Sequence, residues 1–164
     1  MKKQLFYGAL GGAVGAIAMK AVVRFIDRDS FGLSTKTDAK TAHEIWRRFN
    51  WRPMDDRQAE RVGAAMHYGF SVAAGAFYAA AAERFPAIRA GRGAAFGSAL
   101  WLVGDEIAVS ASGLENPFET PVASHLSALG AHIVFGMSVD AMHSRSLQNQ
   151  LTKKRLDTGP QGKG

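Results

Sequence analysis

Val62–Ala82 reads VGAAMHYGFSVAAGAFYAAAA, 21 residues without an Asp, Glu, Lys or Arg. A bilayer core takes about 20 predominantly apolar residues per helical span, and this stretch meets that length directly. A soluble surface helix would show a polar stripe every 3.6 residues. Here only His67, Ser71, Tyr68 and Tyr78 interrupt the apolar run. Three further stretches are equally free of formal charge: Leu5–Met19, Gly93–Gly104 and Thr120–Val139. All 20 basic and all 14 acidic residues of the 164-residue chain lie outside these four. A mean hydropathy of −0.08 conceals the partition. The soluble alternative is a helical bundle with an Ala-rich core, because 28 Ala and 18 Gly are only weakly apolar.

Extended to bilayer length, the other stretches become Leu5–Ile26, Gly93–Ser112 and Pro121–Met142. Lys20 and Arg24, Asp105 and Glu106, and Asp140 are then admitted near their ends. The expected fold is all-α: four transmembrane helices (5–26, 62–82, 93–112, 121–142) in an up-and-down bundle. They form one domain over residues 1–145, followed by a basic tail, 146–164, that is expected to be disordered. Pro86 ends the second span and Gly113 the third, and Pro121 opens the fourth. At the N-terminus, Lys2-Lys3, an apolar run and Ala16-Ile17-Ala18 also fit a cleavable signal. Against that, apolar character resumes after Lys20.

The polar loop 27–61 is expected to hold a short amphipathic helix, Thr37–Phe49, opened by a capping box at Thr41 and Glu44. Trp46, Phe49 and Trp51 alternate with Arg47, Arg48 and Arg52, which suits a membrane interface; a small soluble cap on the bundle is the alternative. With 8 basic and 7 acidic residues in Asp27–Arg61, the loop is too nearly neutral for nucleic acid. Three arginines in Glu83–Arg92 and no cation in Gly113–Thr120 place both termini in the cytoplasm by the positive-inside rule.

Helix 1 carries two small-xxx-small pairs, Gly8/Gly12 and Gly11/Gly15, which let helix backbones approach in lipid. They are expected to keep helix 1 packed and to support self-association. In an up-and-down bundle one layer collects ionisable residues from all four spans. At about 1.5 Å per residue, Lys20, His67, Asp105, Glu106 and His125 lie roughly 6–10 Å from one face, and His132 about 17 Å. Such residues usually face the bundle interior or a water cavity. Three readings follow. One is a structural network with Lys20 on Asp105 or Glu106. The second is a titratable chain for protons or ions. The third is a metal or haem site using two histidines with a carboxylate. No spaced metal motif supports the third, and His125 and His132 sit about 10 Å apart along one face. The absence of cysteine excludes disulfides, thiolate metal sites and Cys nucleophiles. No G-x-S-x-G or P-loop is present. No cofactor is implied.

His67-x-x-Phe70-Ser71, Tyr78, Glu83-x-Phe85-Pro86, the Gly-rich third span, Gly113-Leu114-x-x-Pro117 and Ala131-His132-Ile133-Val134 lie in one order over residues 62–145. In this the chain resembles the YagU-like family of small uncharacterised bacterial inner-membrane proteins. The resemblance implies a multi-pass bundle in the inner (plasma) membrane and supplies no catalytic residue. Residues 27–61 and the Asp105-Glu106 pair have no counterpart in the family's better-known member. The expected function is therefore non-enzymatic: a small bundle or an accessory subunit of a membrane complex, in contact with the lipid bilayer and able to form a homo-oligomer.

Overall fold

The computed structural model describes residues 2–26, 28–48, 54–109 and 120–157. Five α-helices account for most of them: α1 (Lys2–Ile26), α2 (Arg28–Arg48), α3 (Asp56–Ala81), α4 (Ala94–Trp101) and α5 (Val122–Asp157). A 3₁₀ turn, Pro86–Arg89, precedes α4, and π-helical turns, Leu102–Val109, continue it. There is no strand among the described residues.

Each boundary has a local cause. Asp55 caps α3: its side chain accepts from the backbone N–H of Gln58, 2.7 Å, while the Gln58 side chain accepts from the Asp55 N–H, 3.2 Å. This reciprocal box satisfies two of the amide donors at the helix start. It opens α3 six residues before the uncharged run begins. The box expected at Thr41 and Glu44 is not a helix start, because α2 already runs through it from Arg28. Glu44 turns to Arg47 and Arg48 instead, at 2.9 and 3.2 Å. The hydrogen bond from Arg47 is the main reason its carboxyl is held below its ordinary value. Gly91, Arg92 and Gly93 take φ of 61°, 56° and 91°. Three left-handed residues in a row reverse the chain into α4, and glycine at two of them removes the Cβ penalty. After Gly136, α5 meets no glycine or proline before residue 159. It therefore runs on as helix to Asp157, through the first part of the basic tail.

α1 is the hub. It packs along its length on α3 and α5; α4 packs on α5, α2 mainly on α3, and α3 barely touches α5. The four helix-1 glycines set this order. A Cβ on Gly8 would meet the Gly75 carbonyl oxygen and, at 2.6 Å, the Ala79 methyl; one on Gly12 would meet the Ser71 carbonyl oxygen. Gly11 faces the Val139 Cα at 3.1 Å and Gly15 the Phe135 ring at 2.7 Å. Gly8 and Gly12 thus seat α3, and Gly11 and Gly15 seat α5. The face expected to carry self-association is occupied within the chain. Gly93 and Gly97 on one side and Gly136 on the other repeat the device between α4 and α5.

The core lies where α3, α4 and α5 meet: Ala74, Tyr78, Ala82, Phe96, Phe135 and Val139. Tyr78 and Phe96 rings are 4.9 Å apart, Phe96 and Phe135 6.4 Å. Large apolar side chains also point outward, among them Phe6, Ile17 and Phe25 on α1 and Phe70 and Phe77 on α3. By length and composition two helices, α1 over Lys2–Phe25 and α5, are apolar enough to cross a membrane. The four-span expectation is met only that far. α3 spends its first turns on Asp56, Arg57, Glu60 and Arg61 and its apolar part on alanine and glycine. α4 and its π turns add only 8 residues each.

Gly12→Val should therefore lower the thermal midpoint of the detergent-purified protein by several degrees, since overpacking costs about 1–3 kcal/mol. Gly69→Ala should leave it unchanged or raised, because nothing stands within 4 Å of a Cβ there. Equal midpoints for the two variants would refute the glycine-set packing.

Candidate functional site: paired charges at two levels of the bundle

The expected polar layer exists as separate pairs rather than one cluster. Lys20 does not reach Asp105 or Glu106. Its ammonium donates to Asp38 of α2 at 3.4 Å and lies 5.5 Å over the Tyr68 ring. His67 Nδ1 stands 4.0 Å from the same Asp38 carboxylate. Asp38 can approach because Gly63 of α3 lies against the Asp38 backbone, where any Cβ would collide. Across the bundle, His125 Nδ1 and Glu106 Oε1 are 2.5 Å apart. His132 Nδ1 donates to the Ala128 carbonyl, 2.9 Å, with the Asp105 carboxylate at 3.7 Å. That nitrogen already carries a proton for Ala128, so Asp105 is an electrostatic neighbour and not a hydrogen-bond acceptor. His132 also lies within electrostatic range of His67.

The acids Asp105 and Glu106 sit in the π turns, where an i→i+5 ladder widens the helix. Two adjacent carboxylates there reach histidines seven residues apart on α5. The sequence showed the acids but not the widened turn. Of the interfacial trio, Trp46 is half-buried on α2, and Phe49 and Trp51 lie outside the described residues. Gly113 and the loop Leu114–Glu119 lie outside them as well. Among the described residues, no three His, Asp or Glu side chains are grouped to hold a metal ion.

A second network sits at the opposite end of the bundle. Asp140, 7% exposed, accepts from the Tyr78 hydroxyl at 2.6 Å and from Arg89 Nε at 2.9 Å. Arg89 Nη2 donates to the Ser144 hydroxyl at 2.9 Å. The hydrogen bond to Asp140 is the main reason the Arg89 guanidinium is held above its ordinary value. Buried His143 stands edge-on to the Tyr78 ring, centroids 5.9 Å apart. Its Nδ1, like His67 Nε2 and Trp101 Nε1, is buried with no hydrogen-bond partner among the described residues. Tyr78 lies eleven residues after His67, and Asp140 eight after His132, spacings that keep each on the helix face of that histidine. Arg89, in a short connection after a proline, carries no periodic signal that would join it to them.

Between the two levels stand Phe96, Phe135 and Val139, all under 5% exposed. The charged pairs near Lys20 and the network at Asp140 are thus separated by an apolar layer.

Asp140→Asn should loosen the Glu83–Gly93 connection. Losing a buried acceptor for a charged donor costs on the order of 2 kcal/mol, reduced here because Arg89 is partly exposed. The expected outcome is a lower thermal midpoint and faster tryptic cleavage at Arg84 and Arg92. Tyr78→Phe, which removes one neutral donor, should cost about half as much. Unchanged cleavage for both variants would count against the network as a clamp.

No curated protein and no solved structure matches the chain. One family does, over residues 46–141, and its description is "Protein of unknown function (DUF1440)". The matched region runs from the end of α2 through α3, α4 and its π turns to Ala141 on α5, so it contains both networks except Lys20, Asp38, His143 and Ser144. It begins 16 residues before the stretch in which the resemblance was read. Spanning more than half the sequence, this match assigns the chain to the DUF1440 family, to which the YagU-like resemblance corresponds.

Proposed function

We propose that the chain is a non-enzymatic, four-span protein of the bacterial inner membrane with both termini in the cytoplasm. It serves as a compact helical subunit able to associate with a membrane complex. The observation that carries this reading is the inversion of polarity. Outward positions on α1, α3 and α5 are Phe6, Ile17, Phe70, Phe77 and Leu126, while Lys20, His67, Glu106, His125 and His132 find their partners inside. Unpaired charge in hydrocarbon is costly, and pairing is the cheapest remedy. In this reading α3, and α4 with its π turns, complete the spans that α1 and α5 begin. They are held at depth by glycine contacts rather than by their own apolarity.

A second reading, proton or ion handling, rests on the nearness of His67 and His132 and on the carboxylates beside them. The apolar layer of Phe96, Phe135 and Val139 argues against a continuous path. Liposomes holding wild type and the His132→Ala/Asp105→Asn variant should show the same background proton leak. A leak present in wild type and lost in the variant would favour the second reading.

Topology has a direct test, because the chain has no cysteine of its own. Glu60→Cys should react with an impermeant maleimide in intact spheroplast-free cells with a permeabilised outer membrane. Ala87→Cys and Asn149→Cys should react only once the inner membrane is opened. Labelling of all three from one side would overturn the four-span arrangement.

A further inference from the structure

We propose that the terminal end of the bundle binds anionic phospholipid of its own leaflet, through a collar of Lys2, Lys3, Arg84, Arg92 and Arg145. The inference rests on the membrane reading above and adds a ligand to it. All five side chains are exposed. They come from three separate parts of the chain: the start of α1, the Glu83–Gly93 connection and α5 beyond Asp140.

The clamp explains how the arginines are divided. Arg89 turns inward, where Asp140 neutralises it and the Ser144 hydroxyl accepts a further hydrogen bond. It thereby pins the connection to α5, and the left-handed turn at Gly91–Gly93 holds Arg92 outward beside it. Of the acids at this level, Asp140 is buried and engaged, and exposed Glu83 offsets only one of the five collar cations. The other end differs: Lys20 is paired with Asp38, and Arg47 and Arg48 with Glu44.

Depth selects the partner. Arg84 follows the end of α3 by three residues, and its neighbour Phe85 is 64% exposed. Phe6 and Phe77, also more than 60% exposed, lie within two helical turns of Lys2 and of Arg84. Cations ringing the edge of an outward apolar surface stand at headgroup level, where a phosphate is the complementary group. Clusters of Lys and Arg just cytoplasmic of a span read as anionic-lipid sites, each cation adding to the attraction.

The test uses the full chain in detergent micelles, followed by tryptophan fluorescence on heating. Doping with phosphatidylglycerol should raise the midpoint by about 2–4 °C. Phosphatidylcholine and inorganic phosphate should not, and 1 M salt should abolish the rise. Arg84→Gln/Arg92→Gln should lose at least half of it; should that variant fail to fold, Lys2→Gln/Lys3→Gln should lose a smaller share. Equal response to the two lipids, a full response in both variants, or an equal response to inorganic phosphate or to soluble polyglutamate would each overturn the proposal. Alkaline carbonate separates the two readings. A chain released from membranes removes both, and a chain retained but indifferent to phosphatidylglycerol removes only this one.

Discussion

Backbone-to-backbone approach at glycine is the constraint on which this structure depends. α1 seats α3 through Gly8 and Gly12 and α5 through Gly11 and Gly15, with no room for a Cβ at Gly8, Gly12 or Gly15 and a tight fit at Gly11. In water a helix pair gains from burying leucine. In lipid that gain vanishes, and close van der Waals contact between smooth helix faces takes its place. The alanine and glycine content that makes these helices only marginally apolar is thus what holds them together. The same residues keep α3 from passing as a membrane helix on composition and let it pack closely on α1.

Charge placement follows from that packing. With α1 wedged between α3 and α5, the interior is narrow, and its polar groups meet in pairs rather than in a shared cavity. Asp38 reaches Lys20 and His67 because Gly63 lets α2 lie on α3. Glu106 and Asp105 reach different histidines because the π turns spread them. Each pair lowers the cost of one buried charge, and the aromatic layer of Phe96 and Phe135 keeps the two levels apart.

Much of the fold was legible in the uncharged runs. The helix character of 62–82 and the close packing of the helix-1 glycines follow from spacing. The pairing of the polar residues does not. Lys20 finds Asp38, a residue of the polar loop, because tertiary packing lays α2 on α3; no periodicity links positions 20 and 38. The early start of α3 was written at Asp55 and Gln58, although Thr41 and Glu44 offered the same pattern inside a continuing helix. The length of α5 was legible too, in a run without glycine or proline, but its basic residues read as a tail. Arg89 was missed because one residue in a short turn has no pattern to match.

The sequence distances between partners have a consequence for how such a chain is made. Lys20 and Asp38 are 18 positions apart, and Glu106 and His125 19. Each of these charges can be neutralised as soon as the next helix has been synthesised. Asp140 is different, with partners 51 and 62 positions upstream. Tyr78 and Arg89 remain unmatched until α5 emerges, so the clamp closes last. It reports that the final helix has arrived.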